Sequence, residues 1–382
     1  MDRSAYITQT LQKLVQINSV NPSLVAGGGG EEDIGQFISE ELATLGIQHE
    51  VDAIDDKRVN VTGIIPGTGN GKSLVLNAHM DTVGTAGMEA PFSGTVKNGK
   101  LYGRGSYDMK ASIAAILCAA KMMIRKGQQL SGDLILSFVA DEEFESIGAK
   151  RFVEKYSADA AVVTEPTDLN ICLAHRGFGV FKITTHGKTA HGGKHRVGID
   201  ANSNMALLLA EFHRYGKKLQ EEMTHPLCGE ASMHIPLIEG GNSLFIYSGR
   251  CTAHLERRTL PGETEESVLD ELNRMLQKLE DTEPGFNATI EPVIWRDPYE
   301  IRRERPIVKH IEAAANRILG KPSDIIGHTW WEDSAIFGKA GIDTVIIGPK
   351  GGGIHEAEEW VELRSVSELS EILYQCAVEF CR

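Results

Sequence analysis

Five short apolar stretches, residues 59–66, 73–81, 133–143, 160–166 and 343–349, alternate with segments whose apolar residues recur at helical spacing. Those helical segments are 4–17, 32–45, 110–126 and 148–156, followed later by 306–319 and 365–380. Alternation of this kind predicts a largely parallel sheet covered by helices. Leu74-Val75-Leu76 and Val345-Ile346-Ile347 are continuous enough for strands buried on both faces. The glycine-rich stretches 26–30 and 67–71 read as loops.

A different order holds between Gly177 and Trp295: strand 178–185, helix 199–219, strand 232–238, strand 251–257, helix 265–280, strand 288–295. That βαββαβ sequence predicts a small ferredoxin-like α+β domain, residues 177–295, inserted into a discontinuous α/β domain of residues 1–176 and 296–382. Two chain crossings, near Arg176 and Arg296, imply a hinge and a cleft, the usual place for a ligand.

Charge narrows the partners. Among 382 residues there are 39 Lys and Arg against 53 Asp and Glu, a net charge of −14, which argues against a general affinity for nucleic acid or for an anionic membrane. No apolar run approaches the roughly 20 residues needed to cross a bilayer. The first six residues lack the apolar core of a secretory leader, so the expected location is cytoplasmic. Six cysteines, with no C-x-x-C pair among them, read as reduced thiols of the core.

An open α/β sheet places its ligand at the carboxyl ends of its strands. Four of the expected strands end in residues suited to metal: His79-Met80-Asp81, Asp141-Glu142-Glu143, Thr164-Glu165-Pro166, and the run from Gly348 to His355. Asp108 sits where the helix 110–126 begins. One acidic strand end signifies little, because acids commonly cap the next helix, but five converging groups point to a shared ligand. Two imidazoles and several carboxylates suit zinc, manganese or cobalt, and a shared carboxylate, for which Asp108 is placed, holds two ions roughly 3.5–4 Å apart. In the doublet Glu142-Glu143 the side chains diverge, so one binds metal and the other faces water as general base. Alternation along a strand puts His79 and Asp81 on one face, where Asp81 fixes the ring tautomer of His79.

Other features carry less. Gly103-Arg104-Gly105 and Gly351-Gly352-Gly353 lack the strand, glycine loop and helix order of a nucleotide site. That also counts against an oxidoreductase, while a base beside the metal counts against a mere binding protein. Trp330-Trp331 reads as packing, and Lys194-His195-Arg196 as a solvated turn.

Over essentially its whole length the chain resembles the metallopeptidase and amidohydrolase family of acetylornithine deacetylase, succinyl-diaminopimelate desuccinylase, aminoacylase and carboxypeptidase G. The resemblance rests on Asn77-Ala78-His79-Met80-Asp81-Thr82-Val83, residues 103–110, Asp141-Glu142-Glu143, Thr164-Glu165-Pro166, Lys188-Thr189-Ala190-His191-Gly192, and His355 followed by Glu359-Trp360-Val361. It implies a zinc-exopeptidase-like α/β/α catalytic domain carrying an inserted dimerisation or lid domain, and hence a homodimer. It assigns His79 and Glu165 to one metal, Glu143 and His355 to the other, Asp108 to both, and the base role to Glu142, with Asp81 the partner of His79. His191 would reach the active site of the opposite subunit and stabilise the oxyanion, and Arg258 would anchor a substrate carboxylate. Relatives often carry Asn and Pro where this chain has Phe245 and Ser248, which leaves Asn242 as the nearest asparagine for substrate.

The implied reaction is hydrolysis of the amide bond of an N-acyl amino acid, as in acetylornithine deacetylase, by a hydroxide bridging two divalent ions. Zinc is the first expectation, with cobalt or manganese as alternatives. A metallo-dipeptidase, aminopeptidase or carboxypeptidase of the same family, or a succinyl-diaminopimelate desuccinylase, is the alternative reading.

Overall fold

The computed structural model describes residues 2–85 and 87–382 and divides into two compact units. The larger comprises the residues up to Leu173 with Ile301–Ile326 and Glu332–Arg382; the smaller comprises Ala174–Glu300 and Gly327–Trp331.

In the larger unit the strands lie in the order Gln48–Ala53, Val59–Ile65, Leu134–Val139, Leu74–His79, Ala160–Val163, Asp343–Ile346 and Ile171–His175. The four from Leu134–Val139 to Asp343–Ile346 run parallel. Those outside them pair antiparallel, so the expected parallel arrangement describes the centre of the sheet alone. Gln48–Ala53, which no apolar run announced, is a half-solvated edge strand of sequence QHEVDA. Its only strongly apolar side chain, Val51, is exposed.

Leu74, Val75 and Leu76 are inaccessible to solvent because helices cover both sheet faces. Lys110–Arg125 packs on Leu363–Phe380 and Arg3–Gln16. Phe152 of Ile147–Lys155 and Phe337 of Ser334–Lys339 close over Val75, Ile135, Val139, Ala161 and Val163. Each such buried aliphatic side chain contributes about 1.5–3 kcal/mol relative to exposure. The parallel strands all end at one edge of the sheet, and the loops leaving them meet there.

A second, small sheet was not expected. It runs Gly351–Gly352, Trp360–Glu362, Lys100–Tyr102, Thr95–Lys97, with antiparallel neighbours. Gly351 is required for that approach, since a Cβ there would lie 2.4 Å from the Trp360 carbonyl oxygen.

The smaller unit has a four-stranded antiparallel sheet in the order Ser232–Gly240, Arg250–Thr259, Gly177–His186, Ala288–Arg296. Alternate residues of Gly177–His186 and Arg250–Thr259 are buried. Phe181, Ile183, Ala253 and Leu255 on these strands pack with Leu208 and Phe212 of Ala201–Glu222 and with Leu272 and Leu276 of Glu265–Thr282. Asp200 caps the first helix, and a Thr264–Ser267 capping box opens the second. All six cysteines are buried thiols outside any disulfide. Among the described residues, no helix is long and apolar enough to cross a membrane.

Candidate metal centre

Six of the sequence-derived residues meet at the strand-end edge of the larger unit. His79 closes Leu74–His79 and is 1% exposed. The His79 ring directs Nε2 to Asp108 Oδ1 at 3.1 Å, Glu165 Oε1 at 3.6 Å and Glu142 Oε2 at 4.0 Å. On the other side of Asp108, His355 Nε2 lies 3.3 Å from Oδ2 and 3.2 Å from Glu143 Oε2. The two oxygens of Asp108 therefore face one imidazole each. Donor atoms of His79, Asp108 and Glu143 lie within 4.8 Å of one another, as do those of His79, Glu142 and Glu165.

Asp81 acts differently from the same-face pairing expected of a strand, because the strand stops at His79. His79 Nδ1 donates to the backbone carbonyl of Asp81 at 3.0 Å, while the carboxylate is 3.5 Å away. The Asp81 carboxylate instead accepts from the backbone N–H groups of Glu142 (3.1 Å) and Glu143 (3.2 Å) and from Asn21 Nδ2 (2.8 Å). It thus orders the main chain of the doublet. Behind it, Asn21 also donates to Asp141, which pairs with Arg58 Nη1 at 2.8 Å, and the Asp141 N–H donates to Glu31. Asp141 is therefore bound up in an ion pair behind the centre rather than in it. Burial, followed by the charge of Asp81, pushes Glu31 up to about 8.

The electrostatics are those of crowded carboxylates. Burial first, and the Glu165 charge second, raise Glu142 well above the usual carboxylate range. Glu165 and Glu143 are likewise raised, chiefly by burial. Burial opposes the Asp108 charge too, but hydrogen bonds from His355 and His79 outweigh it and hold Asp108 below its ordinary value. His355 rises to about 10, through its hydrogen bonds to Asp108 and then Glu143. Burial lowers His79, yet Glu165, Asp108 and Asp81 together raise it well above its usual value.

These residues fit a pair of divalent cations. With Nδ1–H of His79 committed to a carbonyl, Nε2 faces carboxylate oxygens alone, so the ring must either carry a second proton there or offer its lone pair to a cation lying between them. Glu143 Oε1 is buried with no hydrogen-bond partner. The four carboxylates of Asp108, Glu142, Glu143 and Glu165, facing two imidazoles, are costly to hold together unless further positive charge enters among them. Imidazole nitrogen and carboxylate oxygen are donors that zinc and similar ions accept.

The three other expected residues belong to the smaller unit. His191 forms an isolated bridge with Ile246 and is exposed, its Nδ1 accepting from Gly193 N at 3.1 Å. Arg258 Nε donates to Glu256 at 2.5 Å and its guanidinium lies over the Phe178 ring at 5.0 Å. Asn242 is exposed and lines an open groove with Lys182, Glu239 and Arg250. Trp330, read as packing, is 43% exposed and stacks on His328.

Sequence reasoning passed over Asn21, Glu31 and Arg58, and quoted Arg104 in the segment 103–110 without giving it a task. Glu359 was quoted in the matching segment after His355 but given no task.

A centre of this composition, at the carboxyl ends of a parallel sheet, is that of a metal-dependent hydrolase. Residues 75–379 match peptidase family M20/M25/M40, and the chain belongs to that family, whose members hydrolyse amide bonds. It is 28% identical over 386 aligned residues to the acetylornithine deacetylase of Buchnera aphidicola subsp. Schizaphis graminum, covering 98% of this chain and 97% of that one. Against the acetylornithine deacetylase of Vibrio vulnificus the identity is 27%, over 96% of this chain and 97% of the relative. Among solved structures, the fold is similar to that of the aminopeptidase PepT of Bacillus cereus, with a TM-score of 0.80 at 20% identity over 99% of both chains. It is also similar to the YXEP protein of Bacillus subtilis, described as a dinuclear metal binding peptidase, with a TM-score of 0.77 at 16% identity over 99% and 98%.

Proposed function

We propose that this protein is a deacylase of N-acyl amino acids, of the acetylornithine deacetylase type, with two divalent ions, zinc in the first place. His79 and Glu165 would hold one ion, Glu143 and His355 the other, and Asp108 both. The observation that carries this reading is Glu142: a carboxylate largely withdrawn from solvent beside His79 and Glu165, on a main chain held by Asp81. The full-length likeness to acetylornithine deacetylases supports the substrate class.

The bound ions would supply Lewis-acid activation of a water molecule and of the scissile carbonyl. Glu142 takes the proton of the attacking water and returns it to the leaving amine, giving a carboxylate and a free amino acid. Burial, which raises its pKa above the usual carboxylate range, makes Glu142 a stronger base than an exposed carboxylate. In this proposal the inserted domain, residues 177–295, pairs two copies of the chain, and His191 of one copy stabilises the oxyanion in the other. A preorganised donor of that kind is worth roughly 2.7–4 kcal/mol. Arg258 would hold the substrate carboxylate, which requires it to exchange Glu256 for substrate, and Asn242 would add a polar contact.

A panel of N-acetyl, N-formyl, N-succinyl and aromatic N-acyl amino acids, with free dipeptides alongside and zinc, cobalt or manganese added, tests the reading. Hydrolysis of an N-acetyl amino acid with free dipeptides refused is expected. Turnover of dipeptides with blocked amines refused would make the protein a peptidase instead.

A further inference from the structure

Glu359 is 1% exposed, and its carboxylate accepts four hydrogen bonds. Oε1 accepts from the backbone N–H groups of Tyr107 (2.8 Å) and Asp108 (3.1 Å); Oε2 accepts from Gly105 N (2.9 Å) and Arg104 Nη1 (2.6 Å). Three of these donors are main-chain groups of the loop that delivers Asp108. The carbonyl of Glu359 accepts from Gly103 N at 3.1 Å, which ties the start of the same loop. Arg104 donates in turn to the carbonyls of Glu356 (3.0 Å) and Gly84 (3.0 Å). One carboxylate thus clamps the Asp108 loop to the segment that carries His355, four residues upstream. The segment itself folds back tightly at Gly353, where φ is +78° and a Cβ would come within 1.8 Å of the Glu358 carbonyl oxygen.

An ion pair meant only to hold two segments together needs no more than Arg104 and Glu359. Here the carboxylate is spent chiefly on the backbone of residues 105, 107 and 108, which fixes where the Asp108 side chain begins. We propose that Glu359 is a positioning residue of the metal centre: it sets Asp108 against His355, 3.3 Å apart, and so governs the affinity for the ion that these two share. The inference rests on the two-metal reading above. Outer partners of metal ligands are typically worth 10–100-fold in metal affinity.

The test is zinc titration of the chelator-stripped full-length protein by calorimetry, with thermal unfolding of the stripped form measured alongside. Wild type should take up two equivalents. Glu359→Gln turns an amide N–H toward backbone N–H donors. It should weaken the equivalent shared by Asp108 and His355 about 10–100-fold and, because Asp108 faces both ions, the other by a smaller factor. Glu359→Asp keeps the charge but draws it back by one methylene, and should fall between; it carries the same comparison if the glutamine variant does not fold. A variant with a lowered melting temperature but both zinc affinities within threefold of wild type would make Glu359 a stability element and overturn the proposal. Wild type that takes up no zinc would instead defeat the two-metal reading, and the inference with it.

Discussion

Replacing Glu142 by Gln isolates the proton-transfer role from every other property of the centre. The side chain is 12% exposed and its Oε2 lies 4.0 Å from His79 Nε2, so the isosteric amide fits the same space. A positioned general base contributes about 10²–10⁴-fold, and at 1.36 kcal/mol per tenfold that is roughly 2.7–5.4 kcal/mol of transition-state stabilisation. Glu142 is raised by burial and by the Glu165 charge, so removing its charge relieves repulsion. Glu142→Gln should therefore melt no lower than wild type while losing at least two orders of magnitude in kcat. The assay is steady-state hydrolysis of an N-acetyl amino acid by the zinc-loaded variant, with zinc content measured on the same sample. Turnover within tenfold of wild type with two zinc ions present would refute the base assignment. Loss of one zinc would make Glu142 a ligand, in keeping with its place beside His79 and Glu165.

Two further outcomes follow from the charge cluster and from the proposed pairing of subunits. In the chelated protein His355 is raised from its ordinary 6.5 to about 10, and the buried Glu142 and Glu165 are raised as well. A raised folded-state pKa means that the folded chain holds the proton more tightly than the unfolded one. That stabilisation is complete below the unfolded values and is lost as pH rises through the folded ones. The melting temperature of the chelated protein should accordingly fall between pH 6.5 and about 10, and a rise over that window would contradict the assignment. Separately, His191→Ala and Glu142→Gln should each be nearly inactive alone, yet recover activity when co-refolded, because a mixed dimer holds one complete site; no recovery would place His191 outside the partner's site.

Much of this was legible in the sequence. The central strands are recognisable because burial on both faces demands unbroken apolar runs such as Leu74-Val75-Leu76. Gln48–Ala53 was not, since an edge strand satisfies its backbone on one side and tolerates polar residues on both faces. The pairing of residues 351–352 with 360–362, and of these with 100–102, rests on long-range contacts that leave no periodicity. His79, Asp108, Glu142, Glu143, Glu165 and His355 stand at strand ends and a helix start, where topology announces a site, and they do converge. Asn21, Arg58 and Glu359 work by bonding groups as much as 255 residues distant in the chain, so nothing near them in sequence marks their task. Even Asp81, singled out early, orders the Glu142-Glu143 main chain rather than presenting its carboxylate first to His79, because its strand ends two residues sooner than its apolar pattern suggests.

A crystal grown with zinc and measured at the zinc absorption edge addresses the central claim most directly. Two anomalous peaks are expected, one against His79 and Glu165 and the other against Glu143 and His355, with Asp108 touching both. A structure saturated with zinc whose peaks lie away from these five side chains would contradict it.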